Sequence, residues 1–400
     1  MSPEALDEFV WNNRLSDPAA VALSARKQSD LPAAYLAGQI DALQKIRAKA
    51  PSWYRQGLRF PPALSLEQSS SEATALFKAG LVEGRAMADL TGGMGIDSFF
   101  FSRRFGSVTH VEPNAELSVL TAYNFGVLGV KNAHFVVETA AAFLQNTTAS
   151  FDLLYLDPSR RHEQKGKVIR LEDCSPNILE IKNLALQKSP RILLKTAPLL
   201  DIRLAAAQLE TVHSIWVLAS GADCREVLYL LERARVEPDQ IPVHAVQLRK
   251  DSPPLIFTFT YHSEKSATAP LSPPLRYLYE PNAAVLKAGA FRSFAARFGL
   301  YKLHAHTHLY TSEHFTSGLP ARSFTIEALC KYERKAVTAC IPGGKAHVST
   351  RNFPDPAEQV RKKLGLRDGG DVYVFAFTDA EDKKVVAVCK KTLGAEPEGA

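Results

Sequence analysis

The sequence lacks the features that mark membrane and secreted proteins. Its 400 residues contain no run of about 18 apolar residues, so we expect no membrane span. The first residues are acidic and show no signal-peptide pattern. Only five cysteines occur, scattered and without a C-x-x-C pair. They predict reduced thiols in a cytoplasmic protein and disfavour a zinc site of the cysteine type.

Neither sign of charge is in large excess, but the positive charge is unevenly distributed. The net charge is +6, and the segment 331–367 alone holds nine Lys/Arg against three Asp/Glu. A basic segment suits a polyanionic partner, although a solvated surface without a partner is the alternative. The apolar content of 46% predicts a globular chain with a full core, and its length predicts two to four domains. The oligomeric state is not indicated.

Two familiar nucleotide-binding loops are absent from the glycine-rich stretch at 86–97. A short apolar run ends in Asp89, and glycines follow at Gly92, Gly93 and Gly95 before a helical stretch. No third glycine stands at the dinucleotide-fingerprint spacing, and no P-loop lysine follows. Glycines allow positive φ and let a ligand lie against bare backbone N–H groups at a helix N-terminus.

The pattern D-L-T-G-G-x-G-x-D resembles motif I of class I methyltransferases, which use S-adenosyl-L-methionine (SAM). An acid at the end of the next strand, Glu112, lies 20 residues beyond Gly92 and is suited to bind both ribose hydroxyls. The alternative is an ordinary turn between a strand and a helix with a chance acid downstream. The candidate cofactor-binding residues of this region are Asp89, Thr91, Gly92, Gly93, Gly95, Asp97 and Glu112.

Two other stretches are candidates for completing the cofactor site. Gln68 and Ser70 precede the first strand, where class I methyltransferases often close over the methionine end of SAM, although a plain helix-capping box gives the same pattern. Glu138 and Thr139 follow the third strand, where many methyltransferases hydrogen-bond the adenine amino group. That family more often has an aspartate near the position of Thr139.

The middle of the chain alternates apolar strands with helical stretches, which predicts a parallel sheet. The first 80 residues are predicted to be mostly helical and 263–274 to be a linker. Residues 301–310 alternate like one strand with three histidines on one face, for which we favour a polar or RNA-facing role over a metal site. The strands predicted in the sheet are 86–90, 108–112, 133–137, 151–156, 191–195, 213–219, 243–248 and 255–261.

The fourth strand runs into Asp157, Pro158, Ser159 and Arg160. Amino-methylating enzymes that act on nucleic acids carry a D/N-P-P-Y/F turn here, whose acid accepts hydrogen bonds from the amine and whose aromatic stacks the extruded base. In this chain Ser159 replaces the second proline, and Arg160 replaces the aromatic. Arg160 could stack on a base, clamp a phosphate or form a salt bridge at the strand end. Lys195, which ends the fifth strand, could pair with Asp157.

A cysteine is missing where methylation of a pyrimidine ring carbon would need its thiolate nucleophile, near the end of the fifth strand. Cys174 and Cys224 lie elsewhere in the sequence. The chemistry favoured is therefore nitrogen methylation by in-line transfer, with Asp157 aligning or deprotonating the acceptor. The candidate catalytic residues are Asp157, Pro158, Arg160 and Lys195.

The order of motifs along the chain resembles bacterial, Bacteroidetes-type class I SAM-dependent methyltransferases with a ferredoxin-like and a C-terminal THUMP-like domain. The resemblance rests on L-E-Q-S-S-S-E-A-T-A, D-L-T-G-G-x-G-x-D, x-V-E-P-N, L-D-P-S-R-R, Y-E-P-N and S-T-R-N-F-P, in that order. It implies SAM as cofactor and RNA, tRNA or rRNA, as substrate. It also implies an α/β fold: a Rossmann-like methyltransferase sheet, an N-terminal helical region and small C-terminal α+β domains.

The resemblance also divides the chain. The predicted regions are 1–80 (helical), 81–265 (methyltransferase), 275–320 (ferredoxin-like) and 321–395 (THUMP-like, RNA-binding). In the last, Arg351, Lys362 and Lys363 are candidates for phosphate contacts. Two other hypotheses stay open: a catalytically degenerate SAM-binding protein that binds RNA, and a methyltransferase that acts on DNA or protein. The methylated atom and the RNA species are not indicated.

Overall fold

The chain divides into two compact units. A computed structural model describes residues 2–25, 32–61, 63–160 and 170–392. The first unit comprises Met1–His213 and Leu228–Arg235, and the second comprises Ser214–Val227 and Val236–Ala400. The domain limits given above remain predictions.

The first unit begins with a helical region, as predicted for the first 80 residues. Its Trp53 is fully buried and meets Phe99 and Phe125 edge-on, with ring centroids 5.7 and 6.4 Å away. The side-chain amide of Gln39 bonds both backbone groups of Phe60 at 2.8 Å. The helices of this region are α1 (Pro3–Asn12), α2 (Pro18–Ala25), α3 (Ala33–Lys49), α4 (Ala63–Gln68) and α5 (Glu72–Gly80).

A parallel sheet follows in the same unit, which confirms the predicted α/β class. Its strands and two short accessory strands are β1 (Gly84–Asp89), β2 (Phe105–Val111), β3 (Ala133–Val136), β4 (Leu153–Leu156), β5 (Ser159–Arg160), β6 (Cys174–Ser175) and β7 (Arg191–Thr196). The sheet order is β7-β4-β1-β2-β3, every pairing parallel. The connecting helices are α6 (Ile96–Phe101), α7 (Ala115–Leu128), α8 (Ala140–Asn146), α9 (Ile178–Lys188) and α10 (Ile202–Leu209).

The central strand β4 is apolar because both faces of the sheet are covered, and β1 beside it is buried over its last three residues. All four residues of β4 are buried. At the amino end, the Asp152 carboxylate accepts the N–H groups of Arg85 and Ala86 at 2.6 and 3.0 Å, which sets the register of the two strands. Because parallel strands end at the same edge, the loops after β1, β2, β4 and β7 meet there.

Two longer strands contribute residues to both units: β8 (Val212–Ser220) and β9 (Asp223–Glu232). The sequence analysis predicted the first but not the second, because β9 begins with four mostly polar residues and shows no clean alternation. In the second unit β10 (Val243–Arg249) pairs in parallel with β8 and antiparallel with β11 (Ser252–Phe259). The predicted antiparallel end of the sheet is therefore confirmed.

The second unit also contains a smaller sheet of order β13-β14-β12-β15-β18-β17-β16. Its strands are β12 (Tyr277–Pro281), β13 (Tyr301–Lys302), β14 (Tyr310–Ser312), β15 (Ala321–Lys331), β16 (His347–Arg351), β17 (Val372–Thr378) and β18 (Lys384–Lys391). The helices of this unit are α11 (Tyr261–Ser266), α12 (Ala283–Ala288), α13 (Arg292–Phe298), α14 (Arg334–Ala339) and α15 (Ala357–Leu364). The predicted small α+β elements are confirmed by this sheet.

Two sequence predictions in this unit are wrong. The stretch 301–310 is two short strands joined by a loop, because Leu303 N–H bonds the Leu309 carbonyl and the chain reverses. The three histidines therefore share no strand face, and His308 instead stacks on Phe291 with ring centroids 3.6 Å apart. The start of the predicted linker is helix α11, whose capping box at Thr260 the sequence analysis overlooked.

None of the helices in the described residues is long and apolar enough to cross a membrane. All five cysteines are free thiols. The same described residues contain no group of three side chains that could hold a metal ion.

Candidate active site

The glycine-rich loop lies between β1 and α6, at the carboxyl edge of the parallel sheet. Gly93 and Gly95 have φ values of +54° and +87°, in the left-handed region that favours glycine. A Cβ on Gly95 would lie 2.6 Å from Thr121 Cγ2, whereas one on Gly93 would meet no side chain within 4 Å. The main chain at Gly93 is therefore open, and the loop around it is tightly packed.

The other face of the loop is closed by a histidine. The ring of His110, fully buried on β2, would lie 2.3 Å from a Cβ on Gly92. The ring also packs against Phe135, at 5.2 Å between centroids. Neither ring nitrogen has a well-aligned hydrogen-bond partner among the described residues. Burial lowers the pKa of His110 to about 4, partly offset by backbone groups of Gly92 and Gly93, so the ring is neutral at pH 7.

The carboxylate of Glu112 holds the loop from the end of β2. One oxygen accepts the N–H of Gly93 and the other the N–H of Asn114, both at 2.9 Å. Each carboxylate oxygen has a second acceptor position, so the group can still accept hydrogen bonds from a diol. The structure thus brings the predicted acid and the predicted glycine into direct contact.

The same loop is tied to the candidate catalytic turn after β4. The hydroxyl of Thr91 accepts the backbone N–H of Asp157 at 2.7 Å. The carboxylate of Asp157 forms an ion pair with Lys195, from the end of β7. The side chain of Asp157 is 31% exposed and that of Lys195 only 12%. Asp157 and Glu112 therefore lie on the same loop edge, linked through residues only two apart.

A buried polar network lies beneath this edge. Asp97, in the first turn of α6, pairs with Lys78 at 2.9 Å and accepts the hydroxyls of Ser70 and Tyr155 at 2.8 and 2.9 Å. Burial opposes ionisation of Asp97, but the ammonium groups of Lys78 and Lys195 and the hydrogen bonds outweigh it, so its pKa is lowered. The carboxylate predicted to bind cofactor is thus already held by three protein groups.

Asp89, the acid that ends β1, is also turned into the protein. Its carboxylate accepts the hydroxyl of Ser98 at 2.6 Å and the N–H of Thr91 at 3.1 Å. Burial raises its pKa to about 7, although the Ser98 hydrogen bond opposes the shift. Asp89 therefore stabilises the conformation of the loop through these buried hydrogen bonds.

The remaining cofactor candidates lie around the same edge with looser contacts. Gln68 is exposed at the end of α4, and Thr139 caps α8 by accepting the N–H of Ala142 at 3.2 Å. Glu138 accepts a weak hydrogen bond from Asn146 at 3.4 Å. Their roles in cofactor binding stay predictions.

The chain after the catalytic turn forms a short ribbon in which β5 pairs with β6. Pro158 precedes the ribbon, and Arg160 lies opposite Cys174 in its register. The sequence analysis did not predict this pairing, which joins residues 14 apart in the sequence. Cys174 is buried, and its thiol approaches the Arg170 carbonyl at 3.7 Å. The side chain of Arg160 and all of Arg161 lie outside the described residues.

The three candidate phosphate-binding residues of the second unit all have acidic partners. Arg351 donates at 2.6 Å to Glu280, which is buried and also pairs with Arg322. Lys362 pairs with Glu358 at 2.9 Å, and Lys363 pairs with Asp355 at 2.7 Å. Both lysines are mostly exposed, whereas Arg351 is engaged inside its own domain.

Sequence reasoning missed Lys78, Tyr155 and His110. A signal existed for Lys78, since it lies four residues after Thr74 on the otherwise apolar face of α5. Tyr155 and His110 occur inside strands, where nothing in the sequence separates a core aromatic from a polar partner.

Two family models match the second unit. A ferredoxin-like domain model matches residues 277–320, and a THUMP domain-like model matches residues 321–391. No curated protein matches the sequence.

The most informative solved structure is of a candidate methyltransferase from Porphyromonas gingivalis W83. It is 30% identical to this chain, with a TM-score of 0.87, and the match covers 98% of both chains. The chain belongs to the same methyltransferase family. The predicted membership of class I SAM-dependent methyltransferases with ferredoxin-like and THUMP-like domains is confirmed, and SAM is the cofactor of this family.

Other structures resemble this methyltransferase over less than half of its length. A modification subunit of a type I restriction enzyme candidate from Vibrio vulnificus YJ016 is 13% identical, covers 45% of this chain and 47% of its own, and has a TM-score of 0.33. An rRNA methylase from Streptococcus thermophilus is 14% identical, covers 41% and 94%, and has a TM-score of 0.29. Structural similarity this weak supports no conclusion about the function of this protein.

The residues of the methyltransferase edge fit SAM. The open main chain at Gly93 accommodates a ligand that a Cβ would obstruct, and Glu112 keeps acceptor capacity for ribose hydroxyls. The carboxylate acceptor beside an open main chain suits the hydroxyl groups of a nucleoside.

We predict that Gly92→Ala destabilises the protein by about 2 kcal/mol, because the new methyl group would overlap the enclosed His110 ring. Urea unfolding measures the loss. As a control, Gly126→Ala lies on α7 with nothing within 4 Å and should stabilise by about 0.5 kcal/mol through helix propensity. Equal effects of the two substitutions would contradict the assigned position of His110.

We predict that His110→Phe flattens the loss of stability at acid pH. The pKa of this histidine is about 6.5 in the unfolded chain and about 4 in the folded protein. Between these pH values the unfolded chain binds a proton that the folded protein does not, so the free energy of unfolding falls as pH drops through this window. The shift corresponds to about 3 kcal/mol. The raised pKa of Asp89 has the opposite effect on the pH dependence of stability. Asp89 is present in both proteins, so its contribution cancels when the two are compared.

Urea unfolding between pH 4 and 7 checks this difference. His134→Phe, at an exposed position of β3, is the control and should leave the pH dependence unchanged. Parallel stability curves for wild type and His110→Phe would show that His110 does not resist protonation.

Proposed function

We propose that this methyltransferase transfers a methyl group from SAM to a base nitrogen of RNA, tRNA or rRNA, by direct in-line displacement. The observation that carries the proposal is the ion pair of Asp157 and Lys195, joined through the Asp157 backbone to Thr91 of the glycine loop. A partly exposed carboxylate is thereby fixed beside the place where the loop would hold the cofactor.

The main contribution of the protein to this reaction is to position the acceptor nitrogen. Bound SAM supplies a methyl group that its sulfonium already activates. Asp157 then accepts a hydrogen bond from the acceptor amine and orients the nitrogen lone pair. Lys195 compensates the negative charge of Asp157 in the resting site, and Pro158 fixes the backbone after it. The proton displaced from nitrogen passes to Asp157 or to solvent.

For the cofactor, we propose that the open main chain at Gly93 and the carboxylate of Glu112 bind the amino-acid and ribose portions. Glu138 and Thr139 follow β3 at the same sheet edge and are assigned to the adenine, in keeping with the class I arrangement that the sequence resembles. Gln68 is assigned to the methionine end.

RNA is the proposed substrate because of the THUMP-like model match and the basic segment 331–367. The exposed lysines Lys362 and Lys363 form ion pairs with Glu358 and Asp355, and Lys363 also lies over the Tyr332 ring. Such pairs contribute about 1 kcal/mol or less, so a phosphate can replace the carboxylate partner at small cost.

We predict that Asp157→Asn lowers the rate of RNA methylation at least about 100-fold with little change in the affinity for SAM. Asparagine keeps the shape but loses the charge that orients and deprotonates the amine. Transfer of labelled methyl groups to RNA from cells that lack the gene measures the rate, and nucleoside mass spectrometry identifies the product.

Asp152→Asn is the matched control, because Asp152 lies at the opposite end of the same strand and an amide oxygen can still accept its two N–H groups. It should leave the rate unchanged. An Asp157→Asn enzyme as active as wild type would overturn the assigned role. A wild-type protein that binds SAM and RNA but transfers no methyl group would instead favour the degenerate binding protein, and transfer to DNA or protein alone would replace RNA.

The position of Cys174 gives one specific reason to test a second chemistry. Its register beside Arg160 brings a thiol near the catalytic turn, and a thiolate is what methylation of a pyrimidine carbon requires. Cys174→Ser should retain nitrogen methylation. Loss of activity with normal folding, together with a 5-methylpyrimidine product, would establish carbon methylation instead.

We predict that replacing Lys362 and Lys363 with alanine weakens RNA binding several-fold and lowers the slope of log affinity against log salt by about 2. Each lysine that contacts a phosphate releases about one counterion, so the slope counts the lost contacts. Filter binding across a salt series measures it.

Lys45→Ala is the control for this experiment. Lys45 is exposed and pairs with Asp41 four residues away, as Lys362 does with Glu358. An equal change in slope for both proteins would show a general charge effect and would exclude a specific RNA contact at α15.

A further inference from the structure

Ser70 contacts two charge pairs in the first unit: the buried pair of Lys78 with Asp97 and the partly exposed pair of Lys195 with Asp157. Its hydroxyl donates to Asp97 at 2.8 Å and accepts from Lys78 at 2.7 Å. It also accepts from Lys195 at 3.4 Å, a longer contact. A hydroxyl has one proton and two acceptor positions, so all three are in use. This leaves Ser70 no capacity for the cofactor contact that its position in the sequence suggested.

The orientation of this hydroxyl is fixed by the charges around it. Asp97 takes the proton and is itself held by Lys78, whose side chain is fully buried, and by the hydroxyl of Tyr155. The lone pairs of Ser70 therefore point towards the two ammonium groups. Reversing the hydroxyl would leave a buried carboxylate without one of its donors, which is costly.

The backbone that presents Ser70 is also fixed. Lys49 donates to the carbonyls of Leu66 and Glu67, both at 2.7 Å, where α4 ends. On the other side, Ser71 caps α5 by accepting the N–H of Thr74. The backbone is thus held on both sides of Ser70, by the end of α4 and by the start of α5. Helix α5 also carries Lys78, which contacts the Ser70 hydroxyl.

We infer that Ser70 is a positioning residue for the proposed methyl transfer: it holds the ammonium group of Lys195 against the Asp157 carboxylate. The inference rests on the proposed function. Lys195 is largely enclosed and contacts both Ser70 and Asp157, so loss of the Ser70 acceptor would loosen the hold on its ammonium group at the ion pair. The helical region before the sheet is then a part of the catalytic centre.

The test is Ser70→Ala in the full-length protein, with SAM affinity and RNA methylation measured separately. We expect kcat to fall about tenfold, because the Lys195 ammonium is positioned less firmly against Asp157, and Kd for SAM to stay within twofold of wild type. A rise in Kd of more than threefold, whatever happens to kcat, would overturn the inference and restore Ser70 as a cofactor contact. Unchanged kcat and Kd would overturn it too.

Ser69→Ala is the matched control, since the Ser69 hydroxyl only closes the turn to the Leu66 carbonyl at 2.7 Å. It should leave kcat and Kd unchanged. A tenfold fall in kcat in this control as well would assign the effect to the helix end and would overturn the specific role of Ser70.

A thermal double-mutant cycle keeps the inference separate from the proposed function. Absence of methyl transfer to RNA by the wild-type protein would refute the proposed function alone. The melting temperatures of Ser70→Ala, Lys195→Met and the double variant then decide. We expect the double variant to lose less than the sum of the single losses, because both remove the same contact. Additive losses would show that Ser70 does not hold Lys195.

Discussion

The hydrogen bond from the Asp157 backbone to the Thr91 hydroxyl is the constraint on which the active edge depends. It joins the loop after β1 to the turn after β4, so neither can move without the other. Glu112 fastens the same loop from the end of β2 through the N–H of Gly93. Three strand ends are thereby held in one arrangement, and the carboxylates on either side of the loop keep a fixed relation.

At and beneath this edge the protein pairs opposite charges. Lys78 and Lys195 face Asp97 and Asp157, and Ser70 and Tyr155 supply the neutral hydrogen bonds between them. A buried ion pair is costly to leave incomplete, since removing one partner strands the other charge away from water. Such a network favours one geometry over many, which is what a reaction governed by positioning requires.

The sequence predicted the strands of the parallel sheet and the positions of the glycine loop and Glu112 at the ends of two of them, because both follow from local rules. Apolar runs of four to six residues with helices between them specify a covered sheet. A glycine loop at a strand end places its N–H groups at the sheet edge. The same rules failed at 301–310, where alternation that fits one strand is divided by a chain reversal between Leu303 and Leu309.

What the sequence determined by itself was the family and the chemistry that the loop and the turn can support, since each depends on a few residues at fixed spacing. Only the tertiary structure decided which polar side chains form hydrogen bonds and ion pairs within the protein and are therefore not available to a ligand. Ser70 and Asp97 seemed available to a ligand, yet packing turns both towards Lys78. Strand pairing also sets Cys174 opposite Arg160, a contact that the sequence analysis did not predict. Such contacts join residues far apart in the chain, and spacing along a sequence carries no information about them.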